Sequence, residues 1–273
     1  MSTATASGST AWAMKLFRVS VLKQQKWRMI ASTLGPTANL SCLDIGSDNG
    51  VISHLLRVQG GAWTSADLDE RTVETIRSLV GEPVVLLDPK RAPFGDGAFD
   101  RVVLVDCLEH VQDDKRFVQE MVRITKPGGE IIFNVPNKKN SLLRRFRLAV
   151  GQTDEAHGHL RHGYTEADLA GLFPKQLQLV SAKTYSRFFS ESVDTLMTWA
   201  IRTVKREKHG GGGAKGTVVT GRDLSKHKSL LTAYTLLYPF LWLVAQADKI
   251  LWFRSGYMLM AKARVCPEPG ARA

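Results

Sequence analysis

The chain has few cysteines, and none of them is spaced for pairing or for zinc. Among its 273 residues there are three, Cys42, Cys107 and Cys266, without a C-x-x-C pair. An odd number of scattered thiols argues against a disulfide framework and is typical of a reducing cytosol. The first twenty residues also lack the apolar core of a secretory signal, so we expect none.

Acidic residues are outnumbered by basic ones, 26 to 37, which gives a net charge of +11. Such an excess favours a polyanionic partner, either nucleic acid or an anionic membrane surface. The hydrophobic fraction of 44% is ordinary for a globular protein, so a sizeable core can form. Size and composition therefore leave one large domain, or two small ones, as the expectation.

Residues 1–34 end in a basic amphipathic pattern. From about Ala11 to Leu34, apolar residues recur at helical spacing with lysines and arginines between them, and Gly35-Pro36 stops the pattern. We therefore predict a basic N-terminal helix.

Strand and helix patterns alternate from residue 40 onward. The helices are predicted at 51–59, 70–80, 115–125 and 165–173, and the strands at 40–46, 62–68, 82–88, 99–108, 127–137, 177–186 and 256–265. This predicts an α/β fold: a Rossmann-like, seven-stranded, mostly parallel sheet with helices on both faces and a helical insertion before the last strand. The expected divisions are an N-terminal helix (1–34), a core (35–186), an insertion (187–255), the last strand (256–265) and a tail (266–273).

The first predicted strand runs into a glycine-rich turn, LDIGSDNG. Gly46 and Gly50 would let the backbone approach a ligand, and the helix starting near Val51 would offer free N–H groups. The turn matches neither G-x-G-x-x-G nor the P-loop, so alone it is equally well read as an ordinary tight turn.

Three later strands also end in acids, which strengthens the case for a site. Asp67, Asp88 and Asp106 each close one strand, and the last is followed by Glu109 and His110. The carboxyl ends of parallel strands share one edge, so these groups should form one rim. A carboxylate at Asp67 can accept both hydroxyls of a ribose, and Asp88 can face the amino edge of a base.

Residues 42–137 resemble the core of the class I S-adenosylmethionine-dependent methyltransferases, and most resemble the ubiquinone and menaquinone biosynthesis branch. The matching segments, in the family's order and spacing, are LDIGSDNG, SADLDERTVETI, LLDPKRAPFGDGAFDRVVLVDCLEHVQD and ITKPGGEIIFNVPN. The resemblance implies S-adenosylmethionine as cofactor and S-adenosylhomocysteine as product.

The resemblance also assigns cofactor contacts. It implies that the methionine part of the cofactor lies at the first turn, against Asp44, Gly46, Ser47, Asp48 and Gly50. The ribose would lie at the end of the second strand, against Asp67 and Leu68, with Asp69 as the alternative to Asp67. Adenine would contact Asp88 and Pro89 at the end of the third strand, and Asp106 and Cys107 would lie beside the cofactor at the end of the fourth. The family usually has a glycine where Asp48 stands. We expect binding to persist there, because Asp tolerates turn conformations.

The acceptor side is expected to use histidines. His110 and His159 are the candidate general bases, and Glu109, Arg161 and Tyr164 are candidate acceptor contacts; the segment DEAHGHLRHGYT resembles one that precedes a substrate-side helix in related methyltransferases. The histidines of this segment, His157 among them, have two other interpretations, a solvated loop or a metal site with Asp154 or Glu155. We expect no metal.

A run without charge, residues 230–247, precedes the last strand. It approaches the length of about 20 residues that a membrane span needs. A single crossing would leave strand 256–265 on the wrong side, so we expect an interfacial helix or a hydrophobic lid. Residues 187–255 hold eleven basic and five acidic residues, and a basic cluster, KKNSLLRRFR, lies at 138–147. Both favour an anionic membrane surface over nucleic acid.

The sequence thus predicts a cytoplasmic, peripherally membrane-associated methyltransferase. Its acceptor would be a small molecule, a lipid or a lipid-linked compound, and the methylated atom would be an oxygen. Two alternatives remain open: an RNA methyltransferase, which the charge permits, and a non-catalytic cofactor-binding scaffold at a membrane.

Overall fold

A computed structural model describes residues 13–47, 49–139, 143–144, 159–205 and 228–267. The strands are β1 Ser41–Ile45, β2 Ala62–Asp67, β3 Val84–Leu86, β4 Phe99–Val105, β5 Thr125–Pro136, β6 Leu177–Tyr185 and β7 Met258–Val265. The helices are α1 Val21–Leu34, α2 Val51–Val58, α3 Glu70–Val80, α4 Asp114–Ile124, α5 Glu166–Ala170, α6 Phe188–Lys205 and α7 Lys228–Gln246. Short 3-10 helices span Leu108–His110 and Ala247–Lys249.

The strands form one seven-stranded sheet in the order β3-β2-β1-β4-β5-β7-β6. The first five strands pair in parallel, and β7 is inserted antiparallel between β5 and β6. The expectation of a Rossmann-like, mostly parallel sheet is confirmed. Because β1 to β5 run in one direction, their carboxyl ends lie along one edge, where the predicted acids are found.

Both faces of the sheet are covered, as a parallel sheet requires. Side chains alternate along β4: Val102 and Leu104 pack in the cluster that contains Phe117 of α4, whereas Val103 and Val105 pack in the cluster that contains Ile30 of α1. The period-two pattern of the strand therefore meets helices on each side.

The N-terminal helix is interrupted where the sequence predicts continuity. Residues 13–19 are helical, but Ser20 is extended and caps α1 by accepting from the Lys23 N–H at 3.5 Å. The break occurs because a serine at this position can satisfy an otherwise unpaired N–H of a new first turn. Farther along α1, Ile30 and Leu34 are buried against the sheet, so this helix is part of the core.

The segment before β7 packs on α1. Val21, Val193 and Ala245, from α1, α6 and α7, share one apolar cluster, and the Gln24 side-chain amide donates to the Tyr238 hydroxyl at 2.6 Å. Asp248 accepts from the first backbone N–H groups of α6, including that of Phe189 at 2.8 Å. In the part of the chain that the structure describes, no helix has both the length and the apolarity needed to cross a bilayer.

The turn after β1 passes very close to the end of β4. Gly46 has φ +89°, and a Cβ built there would overlap the Val105 carbonyl oxygen and lie 2.8 Å from the Cys107 Cβ. Neither group can move without disturbing the sheet. Gly46 is therefore required by the packing of the protein itself.

Gly46→Ala should destabilise the protein by about 2–4 kcal/mol, the sum of a left-handed backbone and an overlap with the main chain. Gly60→Ala is the matched control, since Gly60 has φ +92° but nothing within 4 Å of a built Cβ. Urea unfolding of both variants measures the difference. Equal losses would show that the contact with Val105 has no cost.

Candidate functional site

The turn after β1 is fixed by hydrogen bonds among side chains of β1, the turn itself, α2 and β2. Asp44 is fully buried and accepts from the Ser53 hydroxyl at 2.5 Å and the Ser65 hydroxyl at 2.8 Å, with the Arg57 guanidinium 3.7 Å away. The Ser47 hydroxyl in turn lies 2.7 Å from that of Ser53 and accepts from its N–H at 3.0 Å. The described contacts of Asp44 and Ser47 are thus with the protein, and they hold the turn in place.

Burial raises the pKa of Asp44 from 3.8 to about 6, although the Ser53 and Ser65 hydrogen bonds and the charge of Arg57 act in the opposite direction. Removing the charged carboxylate from water costs more free energy than these partners recover, so the protonated form is favoured. Gly50, at the far end of the turn, has φ +76° and begins α2, so the first N–H groups of that helix lie beside the turn. Asp48 lies outside the described residues.

The acids at the end of β2 have different environments. Asp67 is buried, and its carboxylate accepts from the Asp69 N–H at 3.1 Å. Asp69 caps α3 by accepting from the N–H and the hydroxyl of Thr72, both at 3.0 Å. Since the Asp69 carboxylate serves as a helix cap, Asp67 is the better candidate for a ribose contact.

The third strand end is more open. Asp88 is exposed and accepts from the Lys90 N–H at 2.8 Å, next to the partly buried Pro89. Leu68, at the end of β2, packs against the main core cluster. A base placed between these two strand ends would have an apolar side chain on one side and a carboxylate at its edge.

Asp106 lies in a strained conformation after β4, with φ +45°. Its carboxylate forms an ion pair with Lys26 of α1 and accepts from the Asn134 amide at 2.6 Å. Asn134 in turn accepts from the Tyr185 hydroxyl at 2.5 Å, and burial raises the pKa of Tyr185 well above its usual value. Tyr185 therefore keeps its proton and acts as a donor. The neighbouring Cys107 is buried under the turn at Gly46.

A cavity of about 350 Å³ adjoins this rim at Asp106. Its walls come from α1, from the carboxyl ends of β4, β5 and β6, from α6 and from the residues that start β7: Ser20, Leu22, Lys23, Lys26, Asp106, Glu109, Pro136, His159, Tyr185, Ser186, Asp194, Tyr257 and Met258. Strained backbone often marks functional sites, and Asp106 and Ser186 both have positive φ.

Most of these cavity residues are absent from the sequence-based prediction. Lys23 and Lys26 belong to a basic helix whose position over the sheet edge is a tertiary fact, and Tyr257 precedes a strand that reaches the site only by antiparallel insertion. The alternation of apolar and basic residues in α1 was the one signal available, and it indicates a helix without indicating its neighbour.

One of the two predicted histidines lines the cavity, and the other contacts the first. His159 lines the cavity, and its ring meets that of His110 edge to face, with centroids 4.9 Å apart. Beside them lies the buried Glu109, and the ligand atoms of these three residues are within 4.8 Å of one another. That spacing could hold one cation, so the expectation of no metal stays a prediction. The other residues considered for a metal, His157, Asp154 and Glu155, lie outside the described residues.

Arg161 and Tyr164 have structural contacts. The Arg161 guanidinium pairs with Asp114 and donates to the carbonyl oxygens of Val111 and Gln112 at 3.0 and 2.9 Å. The Tyr164 hydroxyl is buried and donates to Asp114 at 3.0 Å, and burial raises its pKa. Neither side chain is among the residues that line this cavity, and their contacts hold the segment that carries His159. Their role toward an acceptor stays a prediction.

Comparisons with known proteins identify the family. A family model described as a methyltransferase domain matches residues 43–133. Ubiquinone biosynthesis O-methyltransferase from Bordetella bronchiseptica is 30% identical over 195 residues, 64% of this chain and 80% of that protein. Demethylmenaquinone methyltransferase from Tropheryma whipplei is 30% identical over 118 residues, 42% of this chain and 49% of that protein.

A solved structure extends the likeness to the fold. Phosphoethanolamine N-methyltransferase 2 from Haemonchus contortus, in complex with S-adenosyl-L-methionine, superposes with a TM-score of 0.54 at 15% identity, over 90% of this chain and 53% of that one. The chain belongs to the class I S-adenosylmethionine-dependent methyltransferases. It is an enzyme whose methyl donor is S-adenosylmethionine.

The raised pKa of Asp44 has a consequence for stability. Between about pH 4 and pH 6 the folded protein holds a proton at Asp44 that the unfolded chain has released, so this group's contribution falls as the pH rises. We expect wild type to lose about 2–3 kcal/mol relative to Asp44→Asn across that interval. Urea unfolding at several pH values measures it; a constant difference between the two proteins would contradict a raised pKa.

Proposed function

We propose that this enzyme transfers the methyl group to a hydroxyl of a small acceptor, held in the cavity that adjoins Asp106. The observation that supports this most directly is the position of His159. It lines a cavity that meets the cofactor rim at Asp106, and a base there can take the proton of an acceptor hydroxyl.

The residues at the strand ends suit the methyl donor. The turn from Gly46 to Gly50, beside the start of α2, would receive its methionine part, and Asp67 its ribose hydroxyls. Asp88, Pro89 and Leu68 would flank adenine. When bound, S-adenosylmethionine supplies an electrophilic methyl group on sulfur, and the protein supplies alignment and a base.

Two groups of the protein would act on the acceptor, and a third would hold one of their partners in place. His159 accepts the hydroxyl proton as the oxygen attacks the methyl carbon. Lys26, held by its ion pair with Asp106, places a positive charge beside the oxygen that becomes anionic. Tyr185 stays protonated and donates to Asn134, which keeps the Asp106 carboxylate in position.

The acceptor's chemical class follows from cavity size and from the relatives. A cavity of about 350 Å³ accommodates a substituted aromatic ring and leaves a long tail outside. Relatives are named for ubiquinone biosynthesis O-methylation and for demethylmenaquinone methylation. We therefore favour a hydroxylated ring with an apolar tail, met near a membrane surface. Basic charge beside apolar residues makes RNA a weaker alternative.

Asp67→Asn should weaken S-adenosylmethionine binding by about tenfold or more, because a charged acceptor of two ribose hydrogen bonds is lost. Asp69→Asn is the matched control, since Asp69 caps α3 and should affect stability with little change in affinity. Calorimetric titration of the two purified variants measures this. Similar affinities would remove Asp67 from the ribose site.

His159→Gln should lower kcat by about 100-fold to 10,000-fold, the usual contribution of a positioned base, while leaving cofactor affinity intact. His162→Gln is the control, since His162 is exposed and contacts Arg144 at 3.0 Å. Wild-type turnover in His159→Gln would exclude this residue as the base.

A parallel assay with a chelator tests the Glu109, His110 and His159 cluster. Loss of activity with the chelator, restored by a divalent cation, would assign His159 to metal binding instead.

The acceptor itself can be identified by incubating the enzyme and S-adenosylmethionine with total lipid extract and with tail-less phenols. We expect products heavier by one methylene in the phenolic lipid fraction, detected by mass spectrometry. Methylation of added RNA, with no change in either fraction, would contradict the proposed acceptor class.

A further inference from the structure

The outer face of α7 is apolar although it faces solvent. Leu236, Phe240 and Leu243 are 62% to 76% exposed and follow one another at helical spacing. The inner face, which includes Tyr238 and Ala245, already packs on α1 and α6. A helix that is apolar on both faces and covered on one of them needs a second partner for the other.

The turn that follows α7 continues this surface. Ile250, Trp252 and Phe253 are 66% to 76% exposed. The turn is held firmly, because the Arg187 guanidinium donates to the carbonyl oxygens of Trp252 and Arg254 at 3.2 and 2.9 Å. We call the outer face of α7 together with this turn the aromatic surface.

The charges around the aromatic surface have one sign. Lys249 and Arg254 are exposed beside Ile250 and Phe253. The acids of the same segment that the structure describes point inward: Asp248 is buried on the α6 N–H groups, Glu191 is buried on Lys139, and Asp194 lines the cavity. Such a surface repels a second copy of itself and attracts an anionic one.

A small cleft lies next to the aromatic surface at Lys249 and shares two wall residues with the cavity beside Asp106. It has a volume of about 220 Å³, and Arg28, Arg187 and Lys249 contribute to its walls. Tyr185 and Ser186 belong to the walls of both the cleft and the acceptor cavity. Asp248 also lines the cleft, but its carboxylate accepts from the backbone N–H groups at the start of α6. The cleft therefore keeps an excess of basic groups, which can receive the phosphate of a lipid headgroup.

We infer that the aromatic surface docks on an anionic phospholipid bilayer, with Trp252 and Phe253 in its interface and a lipid phosphate at the Arg28, Arg187 and Lys249 cleft. Docked this way, the enzyme would present the acceptor cavity to the membrane, so that an acceptor's tail stays in lipid while its ring enters. Only this last step rests on the proposed function.

Vesicle flotation tests the inference with the full-length protein. Wild type should bind vesicles of phosphatidylcholine mixed with phosphatidylglycerol and should not bind vesicles of phosphatidylcholine alone. The double variant Trp252→Ser with Phe253→Ser should bind these vesicles at least tenfold less, because it no longer transfers two large apolar side chains from water into the bilayer. Lys249→Gln and Arg254→Gln should each lower it roughly fivefold. Val58→Ser is the matched control, since Val58 is 71% exposed on α2.

Two further measurements keep the inference separate from the proposed function. All variants should bind S-adenosylmethionine and methylate a tail-less phenol as wild type does. Soluble glycerol phosphate should compete no better than chloride of equal ionic strength, because the bilayer supplies most of the binding. Unchanged flotation in the Trp252 and Phe253 variant would overturn the inference, as would a dimer of the wild type in sedimentation that this variant abolishes.

Discussion

The turn at Gly46 touches the main chain at the end of β4, and the arrangement of the site depends on that contact. Because the carbonyl of Val105 occupies the space of a side chain, the turn after β1 and the residues after β4 are held at one fixed separation. Asp44 and Ser47 secure the turn through Ser53 from below. The turn after β1 and Asp106 are therefore parts of one rigid unit, which suits the proposed methyl transfer between two bound molecules.

The N-terminal helix α1 lies over the sheet edge and forms one wall of the cavity beside Asp106. Its apolar residues belong to the core, and Lys26 reaches Asp106 across the sheet edge. The same helix packs on α6 and α7 through Val21 and Gln24. One helix thus contacts Asp106, lines the cavity and packs on the covered face of α7, so the proposed docking surface would lie one helix away from the proposed reaction site.

The aspartates at the ends of the first two strands differ in what surrounds their carboxylates. Asp44 is buried so deeply that its pKa is raised, and it serves the backbone turn; Asp69 caps a helix; Asp67 lies beside the turn at the edge of the sheet. Chemically identical side chains at neighbouring strand ends therefore have different roles. Arg161 and Tyr164 similarly support the segment that carries His159 instead of lining the cavity.

Local patterns in the sequence were enough for the order of the strands and helices, the glycine turn and the acids at the strand ends, because each depends on residues close together in the chain. The sequence already favoured Asp67 over Asp69 for a ribose contact, and the structure adds that α3 uses the Asp69 carboxylate as its cap. Lys26, Tyr185 and Tyr257 come from distant segments and meet only when β7 is inserted between β5 and β6. The sequence by itself determined the fold and the acids at the ends of its strands; the tertiary structure alone decided the cavity beside Asp106, because its walls are contacts between residues far apart in the chain.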